Sequence, residues 1–174
     1  IKDKGGIRNQ YSHVTDLLPT TLDIAGIKAP EYIKGIKQDI IQGSSFQASL
    51  DNPKAESLHK VQYYYIFGNR AIYKDGWKAS AAHLPDSFAV KKSIGSNEKP
   101  APSNFDTDVW ELYNLNEDFN ERNNLAKKYP EKLAELQKLF DEQAKENNLY
   151  PLIDWQDVYN RRIHNTGADK GKTV

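Results

Sequence analysis

Cysteine is absent from this sequence of 174 residues, and so is methionine. Without a thiol, the chain can hold neither a disulfide framework nor a thiolate metal site, and it cannot use a cysteine nucleophile. Because methionine is missing even at position 1, we expect a processed chain or one cut from a longer protein.

An excess of one charge sign is also missing, since 24 Lys and Arg balance 24 Asp and Glu. Such a chain lacks the field that holds a polyphosphate or an anionic membrane surface, so nucleic acid is not an expected partner. No apolar run reaches the roughly 18 residues that suggest a membrane-spanning helix. What the sequence does contain is 10 Tyr, 6 Phe and 3 Trp, which favours a folded core over disorder.

A short amphipathic helix is predicted near the start of the chain. Asp16 can cap its first amides, and Gly26 ends it. Leu18, Leu22 and Ala25 recur at helical spacing and form an apolar stripe, which must lie against another surface.

A meander of four strands is predicted further along. The strands are expected at 61–67, 70–73, 77–82 and 109–115, with turns at Gly68-Asn69 and Asp75-Gly76. Aromatic and β-branched residues dominate these runs, as is typical of strands.

A long helix is predicted after the strands. Pro130 suits the first helical position, and Leu133, Leu136, Phe140 and Ala144 form one apolar face. That face is expected to cover one side of the sheet. The predicted fold class is therefore α+β, with a four-stranded antiparallel sheet packed on a long C-terminal helix and preceded by a shorter helix and an irregular loop region.

Composition divides the chain into three predicted segments. Residues 1–52 form a helix and loop segment, 53–150 form an α+β subdomain, and 151–174 form an extended or frayed tail. Within them, 27–52 is predicted as a surface loop. The polar stretch 83–108 is long for a loop in a compact domain, and such loops are typically either functional or disordered.

Several motifs follow one another in the order found in sulfatases of the alkaline phosphatase superfamily. They read GGIR at 5–8, GNRAIY at 68–73, DGWKA at 75–79, WELYNL at 110–115 and PEKLAEL at 130–136. Over about residues 5 to 155 the chain resembles the C-terminal subdomain of arylsulfatases. The resemblance implies a large α/β catalytic domain before this part, to which residues 1–52 would link.

The resemblance also implies a chemistry whose parts this chain does not carry. Family members hydrolyse sulfate esters with calcium and a formylglycine made from Cys or Ser in a Cys/Ser-x-Pro-x-Arg motif, and no such motif occurs here. We therefore expect no catalytic residue, metal ligand or cofactor in the chain itself. Its implied partners are the missing N-terminal catalytic domain and, in the complete enzyme, a sulfated small molecule or glycan. Family analogy implies a periplasmic or secreted protein.

Three polar residues are candidates for substrate binding at the pocket rim: Arg70, Lys78 and His83. They fall near a hairpin turn, in a strand and at a strand end beside the long loop, where such groups can recognise an anionic or hydroxyl-rich substrate. The alternative is a set of solvated charges at the sheet edge.

Two pairs of residues with metal-binding character have simpler explanations. Asp51-Asn52 is followed by proline and is predicted to be a turn. His13 and Asp16 fit the start of a helix, and no third ligand lies near them in sequence.

Two alternatives to the sulfatase hypothesis remain open. The aromatic residues could form a carbohydrate-binding or interaction module, although packing in the core explains most of them. The complete protein could also be a related phosphodiesterase or phosphonate hydrolase.

Overall fold

The computed structural model describes residues 4–83, 104–155 and 157–158. The chain divides into two compact units, the first ending at Val61 and the second beginning at Gln62. The three predicted segments stay predictions. Most of the predicted loop 83–108 and the end of the predicted tail lie outside the described residues.

The first unit consists of short elements. A 3-10 turn at Val14–Asp16 leads into α1 (Leu17–Ala25), which is followed by β1 (Tyr32–Ile33), β2 (Ile36–Lys37) and α2 (Gln47–Asp51). Residues 27–52 therefore contain a small hairpin and a helical turn, where the sequence predicts only a loop. Two-residue strands and a five-residue helix are too short to produce a periodic pattern of apolar residues.

Helix α1 ends as its sequence predicts. Gly26 adopts φ 64°, its N–H donates to the Asp23 carbonyl at 3.0 Å, and the Ile27 N–H donates to the Leu22 carbonyl at 2.9 Å. This left-handed cap satisfies carbonyls that the last helical turn leaves open. The predicted apolar stripe is only partly covered, because Leu18 is 54% exposed.

The second unit carries the predicted sheet. Its strands are β3 (Val61–Ile66), β4 (Asn69–Lys74), β5 (Trp77–Ala81) and β6 (Trp110–Asn114), paired in that order. The tight turn between β4 and β5 is Asp75-Gly76, with φ of 47° and 85°. Positive φ at both central residues matches the twist of the flanking strands.

The turn between β3 and β4 differs from the prediction by one residue. It consists of Phe67 and Gly68, with φ of 48° and 91°, whereas Asn69 already belongs to β4. The predicted turn Gly68-Asn69 is therefore wrong by one position. Phe67 adopts a left-handed conformation because a two-residue hairpin turn of this type has positive φ at both central residues.

Helix α3 (Pro130–Glu146) begins at the predicted proline and packs on β4, β5 and β6. Three of the four residues on its predicted apolar face are buried, namely Leu136, Phe140 and Ala144. Opposite them, Ile72, Ala79 and Leu112 are paired in register across β4, β5 and β6, and all three are fully buried. The predicted α+β fold class is thus confirmed.

None of the helices in the described ranges is long and apolar enough to cross a membrane.

Candidate functional site

The structure brings two of the three predicted site residues together. Arg70 lies near the start of β4 and pairs in register with Ala81 at the end of β5. His83 follows that end by two residues, so both residues lie at the same end of β4 and β5. Lys78 lies at the other end of β5, where it pairs in register with Tyr73.

Asp108, which the sequence analysis did not single out, joins Arg70 to His83. Arg70 Nη2 lies 2.5 Å from Asp108 Oδ2, and His83 Nδ1 lies 2.9 Å from Asp108 Oδ1. Arg70 Nη2 also donates to the Phe105 carbonyl at 3.2 Å. The Asp108 carboxylate thus links Arg70 of β4 to His83, which follows β5.

Aromatic rings enclose this contact. The Phe105 ring stacks on the His83 ring with centroids 4.2 Å apart and an interplanar angle of 24°. The Arg70 guanidinium lies 5.4 Å from the Phe105 centroid and 5.2 Å from the Trp110 centroid. Such contacts favour a cation where water is scarce.

Asp154 completes the group from the far end of the chain. Its Oδ2 lies 3.6 Å from His83 Nε2, and its Oδ1 accepts a hydrogen bond from the Asp157 amide at 2.8 Å. We refer to Arg70, His83, Phe105, Asp108 and Asp154 as the His83 cluster. Its four polar side chains are 10%, 4%, 7% and 1% exposed for Arg70, His83, Asp108 and Asp154.

Burial changes what these predicted site residues can do. The solvated charges of the alternative explanation do not describe Arg70 or His83, because both are enclosed and paired. Direct substrate binding by either residue stays a prediction, and it would require the cluster to open. The nitrogens Arg70 Nε and His83 Nε2 are buried without a hydrogen-bond partner among the described residues.

Lys78 has a different environment. Its Nζ lies 2.7 Å and 2.8 Å from the two carboxylate oxygens of Glu121. Both side chains are about a third exposed or less. Lys78 is thus engaged in a partly exposed ion pair and does not contribute to the His83 cluster.

The sequence predicts two of the five residues of this cluster, Arg70 and His83. Asp154 and Asp157 have the three-residue spacing of a helix-capping pair, a signal that could have identified Asp154 as a fixed residue. No local pattern indicates that Asp108 or Asp154 meets His83, because their separations of 25 and 71 residues are set by the fold.

A second buried polar contact lies in the first unit. Asp16 Oδ1 lies 2.6 Å from His59 Nδ1 and accepts from the Ser44 amide at 2.7 Å, while Oδ2 accepts from the His13 amide at 2.7 Å. Burial alone would raise the pKa of Asp16, but these hydrogen bonds outweigh it and hold the pKa below its ordinary value.

The predicted capping role of Asp16 needs correction. Asp16 occupies the position before α1, but its side chain makes no capping hydrogen bond to that helix. The carboxylate instead closes the preceding 3-10 turn through His13 and reaches Ser44 and His59. His13 lies at the spacing of a capping box, whereas Ser44 and His59 are too distant in sequence for a capping pattern to reveal.

Metal binding finds no support in the part of the chain that the structure describes. No three His, Asp or Glu side chains there lie where they could share an ion. Asn52 follows α2, and its side chain accepts from the Lys54 amide at 3.0 Å, which agrees with the predicted turn.

Most of the aromatic residues pack against other parts of the fold. Phe140 of α3 meets Tyr63 and Trp110 edge to face, with centroids 6.4 Å and 5.8 Å apart. Among the aromatic residues of β3 to β6 and their two tight turns, Tyr64 and Phe67 are the exposed ones, at 40% and 42%. The rings of this four-stranded sheet do not form the flat exposed row that a sugar platform requires.

Comparison with known proteins agrees with the motifs. The chain is 30% identical over 134 residues to an uncharacterized sulfatase of Schizosaccharomyces pombe, a match covering 75% of the chain and 20% of the relative. It is 28% identical over 149 residues to an N-acetylglucosamine-6-O-sulfatase of Bacteroides thetaiotaomicron, covering 82% of the chain and 23% of the relative. The chain is similar to sulfatases.

This similarity confirms the resemblance to a sulfatase C-terminal part, and the chain spans about a fifth of the length of these relatives. Among solved structures, BT4656 in complex with D-glucosamine-2-N,6-O-disulfate matches with 23% identity and a TM-score of 0.47, over 78% of this chain and 24% of that one. Ps i-CgsB matches with 19% identity and a TM-score of 0.49, over 88% and 29%. No family model matches the chain.

Proposed function

We propose that this chain acts as the C-terminal portion of a sulfatase, whose complete form hydrolyses sulfate esters. The observation that carries the proposal is the 30% identity over 134 residues to a sulfatase. The four-stranded sheet packed on α3 agrees with the subdomain that the motif resemblance implies. In this proposal the portion completes the fold and is not itself catalytic.

The residues of the chain support that division of labour. Ester hydrolysis needs a nucleophile, a group that stabilises developing charge and an acid for the leaving group, all at one place. The chain has no cysteine and no Ser-x-Pro-x-Arg sequence, and its described residues offer no triad of metal ligands. In this proposal, formylglycine and calcium belong to the N-terminal catalytic domain.

Sulfated sugars are the proposed substrate class. The Bacteroides relative is named as an N-acetylglucosamine-6-O-sulfatase, which supports a sulfated amino sugar. Arg70 and His83 are buried, so in this proposal they act on the pocket rim by fixing the backbone that carries it. Lys78 is more accessible and is the better candidate for direct contact with an anionic group.

The division of labour can be tested by comparing the complete protein that contains this sequence with the 174-residue chain alone. We expect the complete protein to release sulfate from 4-nitrophenyl sulfate or N-acetylglucosamine-6-sulfate, and the chain alone to release none. Bis(4-nitrophenyl) phosphate and a phosphonate ester are the matched substrates for related hydrolases. Preferential turnover of either would overturn the assignment, and so would sulfate release by the chain alone.

The rim role is tested separately by substrate preference in the complete protein. Replacing Lys78 by Met should change the ratio of kcat/KM for the sulfated sugar to that for 4-nitrophenyl sulfate. Lys138→Met is the control, because Lys138 is 80% exposed on α3. An unchanged ratio for Lys78→Met, His83→Asn and Arg70→Met in folded variants would remove the rim hypothesis. Saturable glycan binding by the chain alone would favour a binding module instead.

A further inference from the structure

The imidazole of His83 lies between two carboxylates that come from different parts of the second unit. Nδ1 is 2.9 Å from Asp108 Oδ1, and Nε2 is 3.6 Å from Asp154 Oδ2. All three side chains are more than nine-tenths buried. Each ring nitrogen therefore faces one carboxylate in a place that water scarcely reaches.

A neutral imidazole cannot satisfy both carboxylates. It carries one N–H, and its other nitrogen is a hydrogen-bond acceptor. If Nδ1–H of a neutral ring donates to Asp108, the lone pair of Nε2 faces the carboxylate of Asp154 at 3.6 Å, which is a repulsive contact. An imidazolium carries an N–H on both nitrogens and can donate to Asp108 and Asp154 together.

Charge balance favours the same protonation state. Arg70 pairs with Asp108, so a neutral His83 would leave the carboxylate of Asp154 without a compensating charge. Burying an unpaired carboxylate is costly. With an imidazolium, two positive groups face two negative groups. Within residues 4–83, 104–155 and 157–158, the further titratable groups that interact with Asp154 are Tyr65 and Asp157, and neither carries positive charge.

Asp154 belongs to the C-terminal strap, which is our name for the described part of residues 151–158. The strap also contacts β3 and the turn after it. The hydroxyl of Tyr65 accepts from the Ile153 amide at 2.8 Å and donates to the Ile153 carbonyl. The Trp155 and Phe67 rings meet edge to face with centroids 4.8 Å apart. The contact between His83 and Asp154 lies between these two contacts in sequence.

We propose that His83 is an imidazolium that fastens the C-terminal strap to the sheet through Asp154, so that proton loss from Nε2 releases the strap. By linkage, a docked state that favours the protonated ring is most stable at low pH, and docking weakens as pH rises.

The protonation state is measured directly on the unmodified protein by ¹⁵N NMR of the histidine side chains. We expect both ring nitrogens of His83 to be protonated while the strap is docked, and Nε2 to lose its proton in step with the loss of docking as pH is raised across the range in which the protein stays folded. A ring that stays neutral across this range would overturn the proposal without any variant being made.

Docking is measured by hydrogen exchange of the Ile153 amide, corrected for the intrinsic dependence of exchange on pH. Its protection should fall about tenfold as His83 loses its proton, the size expected for one hydrogen bond to a charged group. Unchanged protection of the Ile153 amide across the titration would contradict release of the C-terminal strap by proton loss from His83.

Two variants and a control test whether the contact between His83 and Asp154, and not another histidine, controls docking of the C-terminal strap. In Asp154→Asn the amide can donate to a neutral Nε2, so we expect protection to remain at high pH and its pH dependence to disappear. In His83→Gln protection should be low at every pH. His13→Gln, at a histidine of the first unit, should leave the titration unchanged, and a titration that vanishes in this control would place the effect outside His83.

Discussion

Asp16 Oδ1 and His59 Nδ1 lie 2.6 Å apart in a buried contact between residues separated by 43 positions. The same carboxylate accepts the amides of His13 and Ser44, so it joins three stretches of the first unit. The first unit has few buried apolar side chains, and the large hydrophobic residues of its helix are mostly exposed. We infer that the Asp16 carboxylate contributes much of the stability of the first unit.

The first prediction concerns the pH dependence of that contact. The pKa of Asp16 lies below its ordinary value of 3.8, because the hydrogen bonds outweigh the effect of burial. A carboxyl whose folded pKa is depressed adds stability above its unfolded pKa, and that stability is lost as pH falls through the folded pKa. Asp16→Asn should lose this component and be less stable by about 1–3 kcal/mol at neutral pH.

The measurement is urea unfolding followed by NMR at the amides of residues 13–59, from about pH 7 to about pH 3. Asp23→Asn is the matched control, because Asp23 is an exposed carboxylate on α1. Its stability and pH dependence should stay close to those of the parent chain. Equal pH dependence in Asp16→Asn and the parent chain would show that Asp16 is not responsible.

The second prediction compares two glycines of the first unit. Gly43 has φ 125°, and a Cβ there would lie 2.3 Å from the carbonyl oxygen of Thr15. Gly35 has φ 82° but open space around the same position. Gly35→Ala should cost about 1–2 kcal/mol from left-handed strain. Gly43→Ala should cost more than about 4 kcal/mol, because backbone must move as well.

Both values come from urea unfolding of the two alanine variants, observed at the same amides as for Asp16. The pair is informative because each substitution adds one methyl group at a positive φ. If the two variants lose the same stability, the close approach of Gly43 to Thr15 does not exist in solution.

The sheet and the long helix could be predicted because their signals are local. The Asp75-Gly76 turn fixes its own hairpin, and α3 shows three buried apolar residues at helical spacing after Pro130. The strand limits differ from the prediction by one residue at several ends, as at Phe67, where a hydrophobic residue takes a turn conformation that sequence rarely assigns to it.

The candidate site could be predicted only in part because its contacts are long-range. Arg70 and His83 are predicted from their places near a turn and a loop, and the fold does bring them together. Their shared carboxylate, Asp108, lies at the far end of the long polar stretch, and Asp154 lies 71 positions after His83. No pattern of spacing or composition connects such residues before the chain is folded.

The last prediction tests whether the His83 cluster stabilises the second unit. Arg70→Met removes the guanidinium that compensates Asp108 and keeps much of the side-chain volume. It should cost about 3–5 kcal/mol, because a buried carboxylate then loses its partner. Arg122→Met is the control, since Arg122 is exposed, and it should change stability by less than about 0.5 kcal/mol.

Tryptophan fluorescence during urea unfolding is the direct measurement, because Trp77, Trp110 and Trp155 all belong to the second unit. Combining Arg70→Met with Asp108→Asn should recover part of the loss, since the double variant no longer buries an unpaired charge there. If Arg70→Met is as stable as Arg122→Met, the guanidinium is not paired in solution. Such a result would also favour the alternative explanation from the sequence, in which Arg70 is a solvated charge.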